Sequence, residues 1–233
     1  MNTDFLSFNL RHELTQAITD LGFAEATPIQ AEMIPLMMTG VDVIGQAQTG
    51  TGKTAAFALP LLHNLSTGNR SPKALIMAPT RELALQVSEA IISFGKEMHV
   101  RVAAVYGGAP YQRQINELRR GVDIVVGTPG RLIDLIDKNV LDLSQIQCVV
   151  LDEADEMLSM GFVEDIERIL SETPAERQTA LFSATMPTPI RRLADKYMNN
   201  PQSITIAKEK VTVETIEQVY YMVNELSLIH ISE

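Results

Sequence analysis

Short runs of consecutive apolar residues recur along the chain, and each leads into a polar or glycine-rich segment. Such runs lie at 41–44, 74–78, 102–106, 123–126, 147–151, 179–182 and 203–206. In runs such as Asp123-Ile124-Val125-Val126, apolar residues follow one another instead of alternating with polar ones. This pattern is typical of strands that are buried on both faces of a parallel sheet.

The segments between these runs carry apolar residues at helical spacing. Residues 5–22 predict an amphipathic helix with a lead-in, which ends at Gly22, and Thr27-Pro28 caps a second helix that ends before Gly40. Further helices are expected after Lys53 and at 82–94, 113–120, 131–137, 161–170 and 188–198. The alternation of strands and helices predicts an α/β fold with a mainly parallel central sheet flanked by helices.

The most distinctive segment is VDVIGQAQTGTGKTAAF at 41–57, which has a strand, a glycine-rich turn and then Lys-Thr opening a helix. Such a turn directs backbone N–H groups at phosphate oxygens, its lysine reaches the β- and γ-phosphates, and its Thr hydroxyl binds Mg²⁺. The predicted phosphate-binding residues are Ala47, Gln48, Thr49, Gly50, Thr51, Gly52, Lys53 and Thr54. Ala47 departs from the general pattern, which has glycine there. A surface turn with a solvated lysine is the alternative.

An acidic pair follows another apolar run. Asp152 could hold Mg²⁺ opposite Thr54, largely through water, and Glu153 could orient or deprotonate an attacking water molecule. Lys53, Asp152 and Glu153 are therefore the predicted catalytic residues. The alternative is that these acids only stabilise the N-terminus of a helix.

Other polar segments also follow apolar runs, so a parallel sheet would gather them at one edge. Arginine forks, hydroxyls and helix N-termini hold phosphate backbones, and glycines allow close approach. The candidates for such binding are Pro79, Thr80, Arg81, Gly107, Gly108, Thr128, Pro129, Gly130 and Arg131. Each arginine taken alone could equally be a salt-bridged surface residue.

Two further sets of residues are weaker candidates. Ser183-Ala184-Thr185 follows a strand and could relay between the acidic segment and other ligands at the edge. Gln30 could recognise an adenine edge, and Phe23 could pack on the face of the base. The four histidines show no metal-ligand spacing.

Charge and composition exclude only a few classes of function. The formal net charge of −10 argues against a generally basic nucleic-acid-binding surface, although a local basic track remains compatible with it. Cys148 is the only cysteine, so no disulfide can form within the chain, and its apolar surroundings predict a buried, inert thiol. The sequence shows no secretory signal and no apolar run long enough to span a bilayer, so we expect a cytoplasmic protein without membrane contact.

Taken together, the segments closely resemble the first RecA-like, nucleotide-binding domain of the DEAD-box ATP-dependent RNA helicases, over residues 5 to about 223. The resemblance rests on Phe5, GFAEATPIQ (22–30), AQTGTGKT (47–54), PTRELA (79–84), GG (107–108), TPGR (128–131), DEAD (152–155) and SAT (183–185), in that order. Ala47 is normal for this family. The segment DEADEMLSMGF is most similar to the bacterial cold-shock or ribosome-assembly type.

The resemblance implies roles for these residues. Gln30 and Phe23 would bind adenine, whereas Lys53, Thr54, Asp152 and Glu153 would serve ATP, Mg²⁺ and the attacking water. Asp155, Ser183, Ala184 and Thr185 would couple the ATP site to RNA held by the edge residues named above. Single-stranded or duplex RNA is the implied partner, and ribosome-assembly or RNA-decay proteins are further candidates.

The resemblance also implies a division of the chain. Residues 1–40 would carry helices with the adenine-recognising segment, 41–207 the RecA-like ATP-binding core, and 208–233 a linker with the start of a second helicase domain. That domain would be absent, and the sequence after Asn224 could be a foreign tail. A non-catalytic, ATP-dependent RNA-binding module and another kind of phosphate-loop enzyme are the competing interpretations.

Overall fold

The structure, a computed structural model, describes residues 4–68 and 70–206. Its strands are β1 (Val43–Gln46), β2 (Ala74–Met77), β3 (Val102–Val105), β4 (Ile124–Gly127), β5 (Cys148–Leu151), β6 (Gln178–Ser183) and β7 (Gln202–Thr205). Its α-helices are α1 (His12–Asp20), α2 (Pro28–Met38), α3 (Lys53–Asn64), α4 (Arg81–Phe94), α5 (Tyr111–Arg119), α6 (Pro129–Asp137), α7 (Ala154–Ser159), α8 (Val163–Ser171) and α9 (Thr188–Tyr197). Two 3₁₀ turns span Phe5–Phe8 and Lys96–Met98.

The strands form one sheet in the order β3-β4-β2-β5-β6-β1-β7, and every neighbouring pair is parallel. At the carboxyl edge, Met77 of β2 lies opposite Gly127 and Leu151, and Gln46 of β1 lies opposite Ser183. Because the strands are parallel, all the segments that follow them emerge at this one edge.

Two hydrophobic cores cover the two faces of the sheet. Successive strand residues alternate between them, so that Val43 faces the core formed with α1 to α4, whereas Ile44 faces the core formed with α5 to α9. Val150 and Val149 of β5 divide in the same way. Both faces of the inner strands are therefore buried, which explains their largely apolar sequence, whereas the edge strand β7 is mostly exposed. The predicted three-layer α/β architecture is confirmed.

Several boundaries differ from the sequence-based prediction. The expected helix at 161–170 is preceded by a separate helix, α7, and Gly161 with φ +86° lies between α7 and α8. Strand β1 extends through Gln46 instead of ending at Ile44, because it pairs with β6 as far as Ser183. Cys148, expected to be buried, is only partly so. Burial, with a smaller contribution from Asp42, raises the pKa of its thiol to about 12.

The helix at Thr27-Pro28 begins as predicted, and the Gln30 side chain adds a bond there. The Thr27 N–H donates to Gln30 Oε1 over 3.0 Å, which is the Gln30 half of a capping box. Residues 208–233, expected to be a linker with the start of a second domain, lie outside the described residues. No helix within 4–68 and 70–206 is long and apolar enough to cross a membrane.

Candidate functional site

The order of the strands divides the candidate segments into two groups. Strands β5, β6 and β1 are consecutive in the sheet, and they lead into the acidic segment, Ser183-Ala184-Thr185 and the glycine loop. Strands β3, β4 and β2 form the neighbouring half of the sheet, and they lead into the two glycines, the segment at 128–131 and the segment at 79–81. The first group coincides with the predicted ATP site and the second with the predicted RNA site.

The glycine loop turns sharply before α3. Gly50 and Gly52 have φ of +78° and +90°, values that favour glycine, and Gly52 caps the helix. Lys53, the first residue of α3, is 6% exposed, and its Nζ donates to the Ala47 carbonyl oxygen over 3.1 Å. The ammonium group therefore lies against the backbone of the glycine loop, which the sequence predicts to hold phosphate.

Gln30 ties α2 to this loop. Its side chain is buried, and its Nε2 donates to the Gly52 carbonyl oxygen over 3.0 Å. Phe23 is partly exposed, and its ring packs edge-on against the rings of Phe5 and Phe94. The structure thus places Gln30 against the glycine loop and Phe23 in an aromatic cluster with Phe5.

Asp152 follows β5 and is 2% exposed. Its Oδ1 has no hydrogen-bond partner among residues 4–68 and 70–206. Burial raises the pKa of Asp152 to about 7; the nearby Lys53 opposes this rise, and Glu153 adds to it. A buried carboxylate oxygen without a donor is a suitable ligand for a cation. Thr54, at the second position of α3, supplies the hydroxyl of the predicted pair.

Glu153 has a strained backbone. Its φ of +53° is left-handed, a conformation that is uncommon for a residue with a side chain. It lies between β5 and α7, where it caps the helix. Because of this turn the Glu153 side chain is half-buried, whereas that of the neighbouring Asp152 is buried.

A compact hydrogen-bond network joins the acidic segment to the segment after β6. The Asp155 carboxylate accepts from the Thr185 N–H over 2.8 Å and from the Thr185 hydroxyl over 2.7 Å. The Ser183 hydroxyl accepts from the Asp155 N–H over 3.3 Å and donates to the Thr185 carbonyl oxygen over 2.7 Å. Burial alone would raise the pKa of Asp155, but hydrogen bonds from Thr185 and Ser183 outweigh it and lower that pKa. Ala184 accepts from Gln46 Nε2 over 3.3 Å, which links the segment to β1.

In the other half of the edge, helices begin at two of the candidate segments. Thr80 caps α4, with its hydroxyl accepting from the Leu83 N–H over 3.2 Å, and Pro129 is the first residue of α6 after Thr128. Arg81 and Arg131 lie in the first turns of these helices. The glycines of this half, Gly107, Gly108 and Gly130, have no atom within 4 Å of where a Cβ would be.

The structure adds three residues that the sequence analysis missed. The Arg81 guanidinium carbon lies 5.0 Å from the centre of the Tyr106 ring, and that of Arg131 lies 5.0 Å from the centre of the Tyr111 ring. Arg131 Nη1 also donates to Gln114 Oε1 over 2.8 Å. Two tyrosines on either side of Gly107-Gly108 were a visible signal for the aromatic contacts, whereas Gln114 looked like any polar helix residue.

Comparisons with known proteins agree with this geometry. The family model for the DEAD/DEAH box helicase matches residues 27–193. ATP-dependent RNA helicase CshA of Listeria monocytogenes is 53% identical over 223 residues, which are 96% of this chain and 43% of that protein. DEAD-box ATP-dependent RNA helicase CshA of Geobacillus kaustophilus is also 53% identical over 223 residues, 96% of this chain and 48% of that protein. The chain thus spans less than half the length of these relatives.

Solved structures show the same fold. A DEAD box protein from the hyperthermophile Methanococcus jannaschii matches with a TM-score of 0.84 and 42% identity, over 87% of this chain and 56% of that one. A hypothetical ATP-dependent RNA helicase from Sulfolobus tokodaii matches with a TM-score of 0.79 and 45% identity, over 84% of this chain and 57% of that one. The fold is therefore RecA-like, as the resemblance implied, and the chain belongs to the DEAD/DEAH box helicase family.

Proposed function

We propose that this chain is the ATP-binding and RNA-binding part of an ATP-dependent RNA helicase that locally unwinds or remodels RNA duplexes. In this proposal residues 1–40 carry the adenine-recognising segment and 41–207 the catalytic core. Residues 208–233 lead towards a second helicase domain, which would complete the ATP and RNA sites. The family membership and the grouping of the candidate residues at one sheet edge support this assignment.

The observation that carries the proposal is the pair formed by Lys53 and Asp152. Both side chains are buried at the glycine loop, yet no ion pair joins them among the described residues. Lys53 uses one of its three donors on Ala47, and Asp152 Oδ1 has no donor within the described part of the chain. Buried charged groups that form no direct ion pair are costly, so the presence of both here favours a ligand that satisfies both.

The residues present fit Mg²⁺ and ATP. Thr54 and Asp152 would hold the ion, partly through water, and when bound the ion neutralises charge on the β- and γ-phosphates. Lys53 would contact the same phosphates. Glu153 would orient or deprotonate the attacking water, and Gln30 with Phe23 would select adenine. The positive charge of a bound cation would keep Asp152 ionised despite its raised pKa.

The RNA-binding part of the proposal rests on the arginines, hydroxyls and glycines of the neighbouring half of the edge. Contacts to phosphate carry no sequence information, so binding is expected to tolerate many RNA sequences and to weaken as salt rises. Asp155, Ser183, Ala184 and Thr185 would couple the two halves, as the family resemblance implies. Their network lies in the half of the ATP site, and β5, the strand before Asp155, pairs directly with β2 of the other half. Cytoplasmic location and contacts with ribosome-assembly or RNA-decay proteins stay predictions.

Substitution of Lys53 tests the ATP site. Lys53→Ala should remove measurable binding of a fluorescent ATP analogue while leaving the melting temperature close to that of the wild type. Lys96→Ala is the matched control, because Lys96 is an exposed lysine in a 3₁₀ turn. Tight binding by Lys53→Ala would refute the phosphate-loop assignment.

A non-catalytic, ATP-dependent RNA-binding module is the alternative. The two functions predict different rates of ATP hydrolysis for a fusion protein, in which this chain is joined to the part of a CshA relative that it does not cover. RNA-stimulated ATP hydrolysis by that fusion, abolished by Glu153→Gln with ATP and RNA still bound, supports the helicase. A fusion that binds both ligands without turnover supports the binding module.

A further inference from the structure

Gln114 is a buried polar residue that belongs to none of the predicted sites. It lies in α5, is 4% exposed, and both ends of its amide are bonded. Its Nε2 donates to the Tyr106 carbonyl oxygen over 3.1 Å, and its Oε1 accepts from Arg131 Nη1 over 2.8 Å. A single side chain therefore connects the strand end at β3 with the first turn of α6.

The two bonds use the polarity of the amide. An amide offers a donor at one end and an acceptor at the other, whereas a carboxylate lacks the N–H and an ammonium lacks the acceptor. A bond to a guanidinium is charge-assisted, and such bonds are stronger than those between neutral groups. Burial makes these two bonds better able to fix the positions of their partners, because the buried amide cannot bond to water instead.

The loop that Gln114 spans connects two aromatic supports. Tyr106 begins the loop and lies beneath Arg81, whereas Tyr111 ends it and lies beneath Arg131. Between the tyrosines are Gly107 and Gly108, which have no side chain, followed by Ala109 and by Pro110 at the start of α5. Gln114 bonds to the carbonyl oxygen of Tyr106 and to the guanidinium of Arg131. It therefore holds the support of Arg81 at a fixed distance from Arg131.

The two arginines differ from those that are neutralised by a carboxylate. Arg101 and Arg168 form ion pairs with Asp123 and Asp137. Neither Arg81 nor Arg131 forms an ion pair within residues 4–68 and 70–206. Aromatic rings and a neutral amide orient a guanidinium without cancelling its charge. That arrangement suits cations that must remain available to phosphate.

We propose that Gln114 is a positioning residue for RNA binding, which together with Tyr106 and Tyr111 sets the spacing of Arg81 and Arg131 along the sugar-phosphate backbone. This inference rests on the proposed function, in which both arginines contact RNA. Gln114 itself would not touch RNA, because its side chain is buried beneath the loop.

The test compares Gln114→Met with Gln112→Met in the 233-residue chain. Methionine keeps the length of the side chain and removes both hydrogen bonds. Gln112 is the matched control, since it is an exposed glutamine of the same helix that bonds only to Asn116 on the surface. The probe is a fluorescein-labelled, single-stranded oligouridylate, and its affinity is measured by anisotropy at several salt concentrations.

We expect Gln114→Met to weaken RNA binding about three- to tenfold, since a misplaced arginine loses most of a charge-assisted contact. The slope of log affinity against log salt should become shallower by about 0.7, the value for one lost phosphate contact on a single strand. Binding of a fluorescent ATP analogue should not change, because that site lies in the other half of the edge. Gln112→Met should match the wild type in all three measurements.

A double-mutant cycle separates positioning from general destabilisation. If Gln114 acts through Arg131, then Gln114→Met should weaken RNA binding far less in an Arg131→Met background than in the wild type. Additive losses would overturn the inference. Gln114→Asn keeps the amide but shortens it by one methylene, and it replaces the Met variant if that protein does not fold.

Failure of the inference and failure of the proposed function give different results. If Arg131→Met and Arg81→Met leave RNA binding intact, the predicted RNA site is wrong and the inference falls with it. If the arginine variants weaken binding but Gln114→Met does not, only the inference is wrong.

Discussion

Gly52 combines two requirements at one position. Its φ of +90° is outside the range that other residues adopt comfortably, and a Cβ there would lie 2.3 Å from Gln30 Nε2. Gly50 has a similar φ of +78° but open space around it. The first requirement follows from the turn, whereas the second exists only because α2 brings Gln30 against the loop.

The pair of glycines gives a matched prediction for stability. Gly50→Ala should lower the free energy of unfolding by about 1–2 kcal/mol through backbone strain alone. Gly52→Ala should cost about 1 kcal/mol more, because Gln30 must move and lose its hydrogen bond to the Gly52 carbonyl oxygen. Urea unfolding of both variants measures the difference, and equal losses would contradict the tight contact.

Asp152 gives a prediction about pH. Its pKa is about 7 in the folded chain against an ordinary value of 3.8, so the folded state holds a proton that the unfolded state releases. Stability from this group is present below the unfolded value and is lost as pH rises through the folded value. Asp152→Asn cannot titrate there. Its melting temperature relative to the wild type should therefore increase as pH rises between these two values.

Thermal melts of both proteins in metal-free buffer, taken across that pH range, provide the measurement. Asp195→Asn is a suitable control, since Asp195 is an exposed carboxylate on α9. A constant difference between Asp152→Asn and the wild type would show that Asp152 titrates at its ordinary pKa.

At the scale of elements, the sequence located the strands better than the connections between them. Consecutive apolar residues marked the strands inside the sheet, because both faces of the sheet are covered there, whereas the exposed edge strand β7 has a mixed sequence. The helix predicted at 161–170 began only at Gly161, so the short helix α7 that precedes it was missed. Its start depends on the left-handed Glu153, which local sequence does not specify.

The network between α7 and the segment after β6 is open to a direct test. Thr185→Val removes the hydroxyl donor but keeps the backbone N–H, so the pKa of Asp155 should rise towards its ordinary value of 3.8. A lowered folded-state pKa contributes stability above the unfolded value that is lost on acidification. The variant should therefore lose less stability than the wild type as the solution is acidified.

Carbon-13 NMR titration of the Asp155 carboxyl measures this pKa. Thr188→Val is the control, because Thr188 is an exposed threonine at the start of α9. An unchanged Asp155 pKa in Thr185→Val would mean that the hydroxyl contributes little to the network.

At the scale of the molecule, the order of the strands determines which segments can work together. The chain forms β1 in the half of the sheet with the predicted ATP site, crosses to the half with the predicted RNA site for β2, β3 and β4, and returns for β5 and β6. Neighbouring halves of one edge allow two ligands to lie side by side, with the Asp155 network in the ATP half.

We expect the 233-residue chain to bind ATP and to hydrolyse it slowly. Phosphoryl transfer in related enzyme classes gains about 10³–10⁵ in rate from an arginine finger, and the resemblance implies that this residue lies in the second domain. Steady-state phosphate release with and without RNA measures the turnover. Substantial RNA-stimulated turnover by this chain alone would refute the expectation.

The sequence by itself determined the fold class, the positions of the strands and the identity of the candidate residues. These features are local: burial of both sheet faces requires continuous apolar runs, and a phosphate loop requires glycines followed by Lys-Thr. The tertiary structure decided which candidates are neighbours, how Gln30 meets Gly52, and why Gln114 is buried between Tyr106 and Arg131. Those contacts depend on strand order and helix packing, which join residues far apart in the chain and leave no periodic signal in it.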